Sequence, residues 1–350
     1  MNLIFEINYA VFSIFASLLI TEIVGSIVLI LFYDAAKAKV LEYIVPIWEV
    51  TGTFGAFWVV TGDMAYPNLL IPVASIFGAL LTVFLILLVA RNATIVYAEF
   101  IVKKRWLDEK KLYRGYAIST LLMGVSVLIL LSALVSGAGV LSNNPPLTSA
   151  FNFWAWASRA GSWFFLLGTL LIAIGVAPIF FDIRQFAKKF VPLAVVGAVV
   201  SVGGYYEYSA SLVTPYMALP VVLTLLAALL YIPKKTAAIV TNKAIFIVLL
   251  CTIIFSLQPL IYPKFVGQVL SIDSVTTKGP MVPVFYETTW GGGALLSAML
   301  LVYVWIAYRG KGPKTGPIGM SHALHASAPA EPEAPQTTRT SAPTKLLWGD

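Results

Sequence analysis

Long apolar runs alternate with short polar connections along this chain, and nine of the runs are long enough to cross a bilayer. They lie near 8–33, 44–63, 69–99, 115–139, 160–181, 190–206, 214–232, 243–262 and 289–308. A helix needs about 20 apolar residues to span a hydrocarbon core of ~30 Å. The pattern predicts an all-α polytopic membrane protein of about nine transmembrane helices over residues 1–309. The second run is interrupted by Glu49, Gly52, Gly55 and Gly62, and the sixth is short and ends in Tyr205, Tyr206 and Glu207. Either could be re-entrant. Pro178, Pro220 and Gln258-Pro259 mark expected kinks, Gly291-Gly292-Gly293 opens the ninth run, and Trp290 with Tyr303, Trp305 and Tyr308 reads as an interfacial aromatic belt.

Composition agrees: 59% of residues are hydrophobic and only 11% charged, against about a quarter charged in soluble proteins. The basic residues fall in alternate connections. Lys37 and Lys39 follow the first run, Lys103, Lys104, Arg105, Lys110, Lys111 and Arg114 the third, and Arg184, Lys188 and Lys189 the fifth. Lys234, Lys235 and Lys243 follow the seventh, and Arg309, Lys311 and Lys314 the ninth; the other connections hold Arg159, Lys264 and Lys278. Cytoplasmic loops carry the Lys/Arg excess, so the N-terminus is expected outside and the C-terminus in the cytoplasm, across the plasma membrane of a prokaryote. The formal net charge of +7 then matches anionic lipid at the inner leaflet, and no nucleic-acid partner is called for. Met1 to Tyr9 carries Glu6 and no basic residue, unlike a secretory leader, so the first run is expected to be retained.

From Gly310 the composition turns to Pro, Ala, Ser, Thr and Glu, which predicts a disordered cytoplasmic tail over 310–350. Both histidines, His322 and His325, lie there, without the neighbours of a metal site. A membrane domain lacking histidine has no imidazole for haem or for an ordinary metal centre, so neither is expected on this chain. Cys251 is the single cysteine and reads as a small buried hydrophobe. The glycine triplet has no following Lys and no strand before it, which excludes a phosphate loop. No Ser/His/Asp or Cys/His arrangement occurs within the apolar runs.

What remains are ionisable residues within the first three apolar stretches: Glu22, Glu49, Arg91 and Glu99. A charge at bilayer depth costs roughly 2.5–3.5 kcal/mol on insertion scales, so each needs a partner, a cavity or an ion path. Glu22 falls about eleven residues, or ~16 Å, from the cytoplasmic end of its helix, near mid-membrane. Glu49 is shallower, one or two turns above the cytoplasmic face. Glu49, Gly52, Thr53, Ala56 and Val60 share a helix face, as do Glu22, Gly25 and Ser26. Faces so free of bulk admit close helix packing or water beside a carboxylate. Two roles stay open. The acids could be steps of a proton route from the cytoplasm, or Glu22 could form a structural ion pair with Arg91, which lies at a similar depth in the third run. Glu99, beside Lys103, reads as an interfacial charge, as do Asp63 and Asp182, the latter beside Arg184.

The stretch Pro46-Ile47-Trp48-Glu49-Val50-Thr51, then Tyr66-Pro67, then a long apolar helix holding Arg91, resembles subunit II, the small subunit of cytochrome bd-type quinol oxidases. Its Trp-Glu spelling is similar to the menaquinol-oxidising, Bacillus-like branch. Glu22 falls where the family has a first-helix Asp, Tyr262-Pro263 resembles the Tyr-Pro before the last outer loop, and Arg309-Gly310-Lys311 resembles the ending of many members. The chain departs at Ile23-Val24-Gly25, where the family usually writes a Gly-Phe-Asp-type stretch, and its connection to Trp48 is shorter. Helices 4 to 7 match in character only.

The resemblance implies two four-helix bundles plus one peripheral helix, in a subunit that carries no haem. Haem b and haem d would belong to a haem-bearing partner, subunit I, with quinol as the substrate of the complex. Glu49, Glu22, Trp48 and Thr53 would lie on a proton path at the subunit interface, and lipid, quinone and a small accessory subunit would be further partners. The residues alone leave two other readings: a quinone-binding anchor of another respiratory complex, or a secondary transporter built on Glu22 and Arg91.

Overall fold

The computed structural model describes residues 2–100, 108–140, 150–208, 241–262, 264–265 and 270–309, together with Val222, Leu226, Tyr231, Thr236 and Ala237. Helices dominate. They are α1 (Leu3–Leu31), α2 (Tyr33–Ala65), α3 (Pro67–Ile76), α4 (Gly78–Phe100), α5 (Glu109–Ser136), the short α6 (Phe153–Ala157), α7 (Ala160–Phe180), α8 (Arg184–Tyr208), α9 (Lys243–Ser256), the one-turn α10 (Ile272–Val275) and α11 (Met281–Arg309). The only strands among the described residues, Lys264–Phe265 and Leu270–Ser271, pair antiparallel as a small hairpin. Among the described residues, four helices are long and apolar enough to cross a membrane: α1, α4 over Gly78–Glu99, α5 and α7. The bent α2 makes a fifth if its halves form one span. The chain is a helical membrane protein. Most of its seventh apolar run, the basic loop 101–107, the side chains of Tyr303, Trp305 and Tyr308, and the tail 310–350 lie outside what the structure describes.

Several boundaries differ from the apolar runs, each for a physical reason. Where a loop is expected after the first run, the chain re-enters a helix at Tyr33. Tyr33, Ala36, Val40 and Ile44 recur every three or four residues, and all four are buried. This amphipathic half of α2, Tyr33–Val45, meets Ile47–Ala65 at 41°, with Pro46, which lacks an amide hydrogen, at the break. The third run is likewise interrupted at Phe77, between α3 with its internal Pro72 and α4. The eighth run leaves the α-helix after Ser256 and tightens into a 3-10 turn, Gln258–Leu260, at Pro259. The glycine triplet does not open the last helix: α11 starts at Met281, ten residues earlier, and Gly292 there faces Phe57 of α2 so closely that a Cβ would come within 2.5 Å of the ring.

Within the unit Met1–Val304, α1 is the central element, packed against α2, α5, α7 and α9. The antiparallel neighbours α7 and α8 approach most closely. A Cβ at Gly175 would lie 2.3 Å from the Ala194 amide nitrogen, one at Gly168 2.5 Å from that of Ser201, and one at Gly197 2.6 Å from the Gly168 carbonyl. Gly161, Gly168 and Gly175 repeat every seven residues, as do Gly197 and Gly204, so small residues line the seam along two turns at a time. α5 ends at Gly137, whose φ of 72° is the left-handed conformation favoured in a C-terminal cap. Beyond it, Trp156 of α6 is fully buried and donates from Nε1 to Ser132 Oγ at 2.8 Å.

Basic side chains gather where α1 ends, α2 and α5 begin and α7 ends. Lys37 pairs with Glu109 at 2.8 Å, Lys110 with Asp34 at 2.7 Å, and Lys39 donates to the Asp182 carbonyl at 3.1 Å. Lys243, at the start of α9, donates to the Phe180 carbonyl. Connections that follow the first, third, fifth and seventh apolar runs thus meet at one end of the bundle. Near the other end Asn2 donates to Asp273 at 3.1 Å, and the Thr277 amide to the Ala65 carbonyl at 2.8 Å.

Candidate functional site

Glu22 and Arg91 meet inside the bundle. Each occupies an inward position of an apolar helix, α1 and α4 respectively, and each is fully buried. The Arg91 guanidinium donates from Nη2 to Glu22 Oε2 and from Nη1 to Asn92 Oδ1 at 2.9 Å. Tyr116 of α5 donates to the same Glu22 oxygen at 3.4 Å, and its ring lies 5.7 Å from the guanidinium carbon. The charges neutralise one another where neither could be exposed to lipid cheaply. Tyr116 escapes a reading based on charged residues alone; the signal it leaves is a second tyrosine three residues earlier, Tyr113, on the same helix face. Tyr113 donates to Glu99, which ties the end of α4 to the start of α5.

Glu49 lies on a different surface. It is exposed, and so are Gly52, Thr53, Ala56, Val60 and Asp63, which follow it at helical spacing along α2. Thr53 turns its hydroxyl back to the Glu49 main-chain carbonyl at 3.0 Å, while Glu49's carboxylate makes no hydrogen bond or ion pair among the described residues. A Cβ at Gly52 would meet nothing within 4 Å. Trp48 points the other way and packs on the core formed with Val28, Leu29, Ile44 and Phe180. Trp48 therefore fixes the rotation of α2 that leaves Glu49 and Thr53 outward. Of the residues singled out from the sequence, Glu22 and Arg91 come together; no hydrogen bond or ion pair among the described residues joins Glu49 to that pair.

Asp182 is held where α7 turns into α8. Its φ of 50° is the left-handed conformation, and its carboxylate accepts from Arg184 Nε at 3.1 Å and from Tyr231 OH at 3.0 Å. Among the described residues no three His, Cys, Asp or Glu side chains converge as a metal site would require. Cys251 is half-buried and unbonded to another cysteine.

No protein-family model matches the sequence, and no curated protein matches it. Among solved structures the chain is similar to one chain of the bd oxidase from Geobacillus thermodenitrificans, at a TM-score of 0.64 and 15% identity. The similarity covers 88% of this chain and 98% of that one. This chain has that fold. At such identity the side chains are largely different, so what is shared is the path of the helices.

Proposed function

We propose that the chain is the haem-free subunit II of a cytochrome bd-type quinol oxidase. In this reading it stabilises a haem-bearing subunit I and helps supply cytoplasmic protons while quinol reduces oxygen to water. The observation that carries the reading is the fold similarity over nearly the whole length of a bd oxidase chain. It is supported by the position of Glu49 on an exposed face of small residues, the kind of surface on which another helix can pack closely. Basic residues meeting at one end of the bundle support a cytoplasmic C-terminus and a multi-pass place in the plasma membrane of a prokaryote.

Residues 1–309 hold no histidine to supply the imidazole that most haem irons take, which favours a haem-bearing partner over this chain. We therefore assign haem b, haem d and the oxidation of quinol to the partner. The residues here do three things. The α2 face of Gly52, Thr53, Ala56 and Val60 seats the partner. Glu49 on that face accepts and releases protons at the interface. Glu22, inside the bundle and charge-balanced by Arg91, is the inner acid of the route. Lipid, quinone and a small accessory subunit complete the proposed surroundings, and the tail 310–350 lies in the cytoplasm.

Two substitutions test this. Glu49→Gln keeps the shape and removes the titrating group, so the complex should assemble with full haem content while turnover falls by on the order of a hundredfold. Equal turnover in this variant and the wild type rejects a required proton role for Glu49. Gly52→Trp has open space in the chain itself, so it should leave the chain folded and block capture of the partner. Undiminished capture would move the interface elsewhere.

A further inference from the structure

Around the Glu22–Arg91 pair lie polar atoms that the protein does not satisfy. Glu22 Oε1, Arg91 Nε, Ser26 Oγ and Tyr43 OH are all buried and without a hydrogen-bond partner. Such atoms cost about 1–3 kcal/mol each when left unpaired. Ser26 makes the point by contrast with its neighbours. The other serines and the threonine of α1, Ser13, Ser17 and Thr21, each donate to a main-chain carbonyl three or four residues earlier, at 2.7 Å in every case. Ser26, one turn from Glu22 on the same face, does not.

Tyr43 of α2 turns its hydroxyl towards the Thr21 side chain without a well-formed hydrogen bond to it, and lies within electrostatic reach of Glu22. Its ring packs edge-on against Phe180 and Phe181, with centroids 5.2 and 6.1 Å away, and these rings close the site towards the basic end of the bundle. One acceptor, one donor and two hydroxyls therefore need satisfying around a neutral pair. A cation would be repelled by Arg91 and an anion by Glu22. Only a small neutral molecule that both donates and accepts serves all four, and buried water typically makes about three such bonds.

We propose that ordered water is bound at the Glu22–Arg91 pair, held by Glu22 Oε1, Arg91 Nε, Ser26 Oγ and Tyr43 OH. Tyr43 is then a positioning residue: its hydroxyl anchors the water that keeps the free Glu22 oxygen hydrated in an otherwise apolar bundle. The site stands whether or not the chain serves an oxidase, because it follows from the chain's own polar atoms.

The test is radiolytic labelling in ¹⁸O-enriched water, on the full chain purified with whatever accompanies it. Hydroxyl radicals formed from bound water mark the side chains that hold it, even when these are buried. Tyr43 should be labelled several-fold more than Trp156, whose ring is equally reactive, fully buried and bonded to Ser132 instead. Filling the site with Ser26→Leu should bring Tyr43 down to the Trp156 level. Labelling of Tyr43 no greater than that of Trp156 in the wild type means a dry site and overturns the proposal. A high-resolution map of the same preparation decides independently: density should lie within about 3.2 Å of Glu22 Oε1 and of Ser26 Oγ or Tyr43 OH, and its absence there would also overturn it. Neither readout uses oxidase turnover, so failure here is distinct from failure of the proposed function.

Discussion

Arg91→Met should destabilise the chain by about 3–5 kcal/mol, the usual effect of removing one partner from a buried ion pair. The loss arises less from the missing attraction than from Glu22, which is left as an uncompensated charge at a fully buried position. Tyr116 alone, donating at 3.4 Å, is too weak a partner to replace a guanidinium. The double variant Glu22→Gln with Arg91→Met removes both charges and should recover most of the stability, since apolar replacement of a whole buried pair is often neutral. Thermal unfolding in detergent measures both. A neutral Arg91→Met, or a double variant no better than the single, would contradict the view that charge balance is what holds α1 to α4 here.

The second large effect belongs to the α7–α8 seam. Gly175→Leu places a side chain where even a Cβ would lie 2.3 Å from the Ala194 amide nitrogen and 2.5 Å from its Cβ. The obstacle is backbone, which cannot swing aside as a flexible side chain can, so the helices must separate along their length. Overpacking of a core commonly costs about 1–3 kcal/mol, and a backbone clash in the tightest helix pair belongs at or above the upper end. Gly52→Leu, where the added atoms meet open space, is the matched control and should leave unfolding unchanged. Equal unfolding of the two variants would show that the seam tolerates separation.

How far the sequence reveals this structure depends on which force sets each feature. The cores of the spanning helices are legible because about 20 apolar residues are required whatever the packing. Their ends are not, because amphipathic turns such as Tyr33–Val45 obey burial against neighbours rather than overall hydropathy. The glycine triplet misleads for a related reason. Glycine weakens helices in water, yet between membrane helices its missing Cβ is what permits approach, as Gly292 does against Phe57. The depth of Glu22 and Arg91 narrows the choice to a few partners, but only coordinates bring them into contact. Tyr116 and Tyr43 leave almost no trace, and Ser26, though legible on the Glu22 face, gives no sign that its hydroxyl is unpaired, since hydroxyls within an apolar helix usually bond to its own carbonyls, as Ser13 and Ser17 do. Glu49 is ambiguous from spacing alone, because a small-residue face serves equally well against a helix of the same chain or of another; here it is left open.

The most direct test of the central claim is gentle purification through a tag on the C-terminal tail, followed by a reduced-minus-oxidised spectrum and identification of what comes with the chain. The proposed function predicts bands of b and d haem and a histidine-bearing membrane subunit in the same fraction. A colourless chain that travels alone, or one accompanied by an iron–sulfur protein, would contradict it.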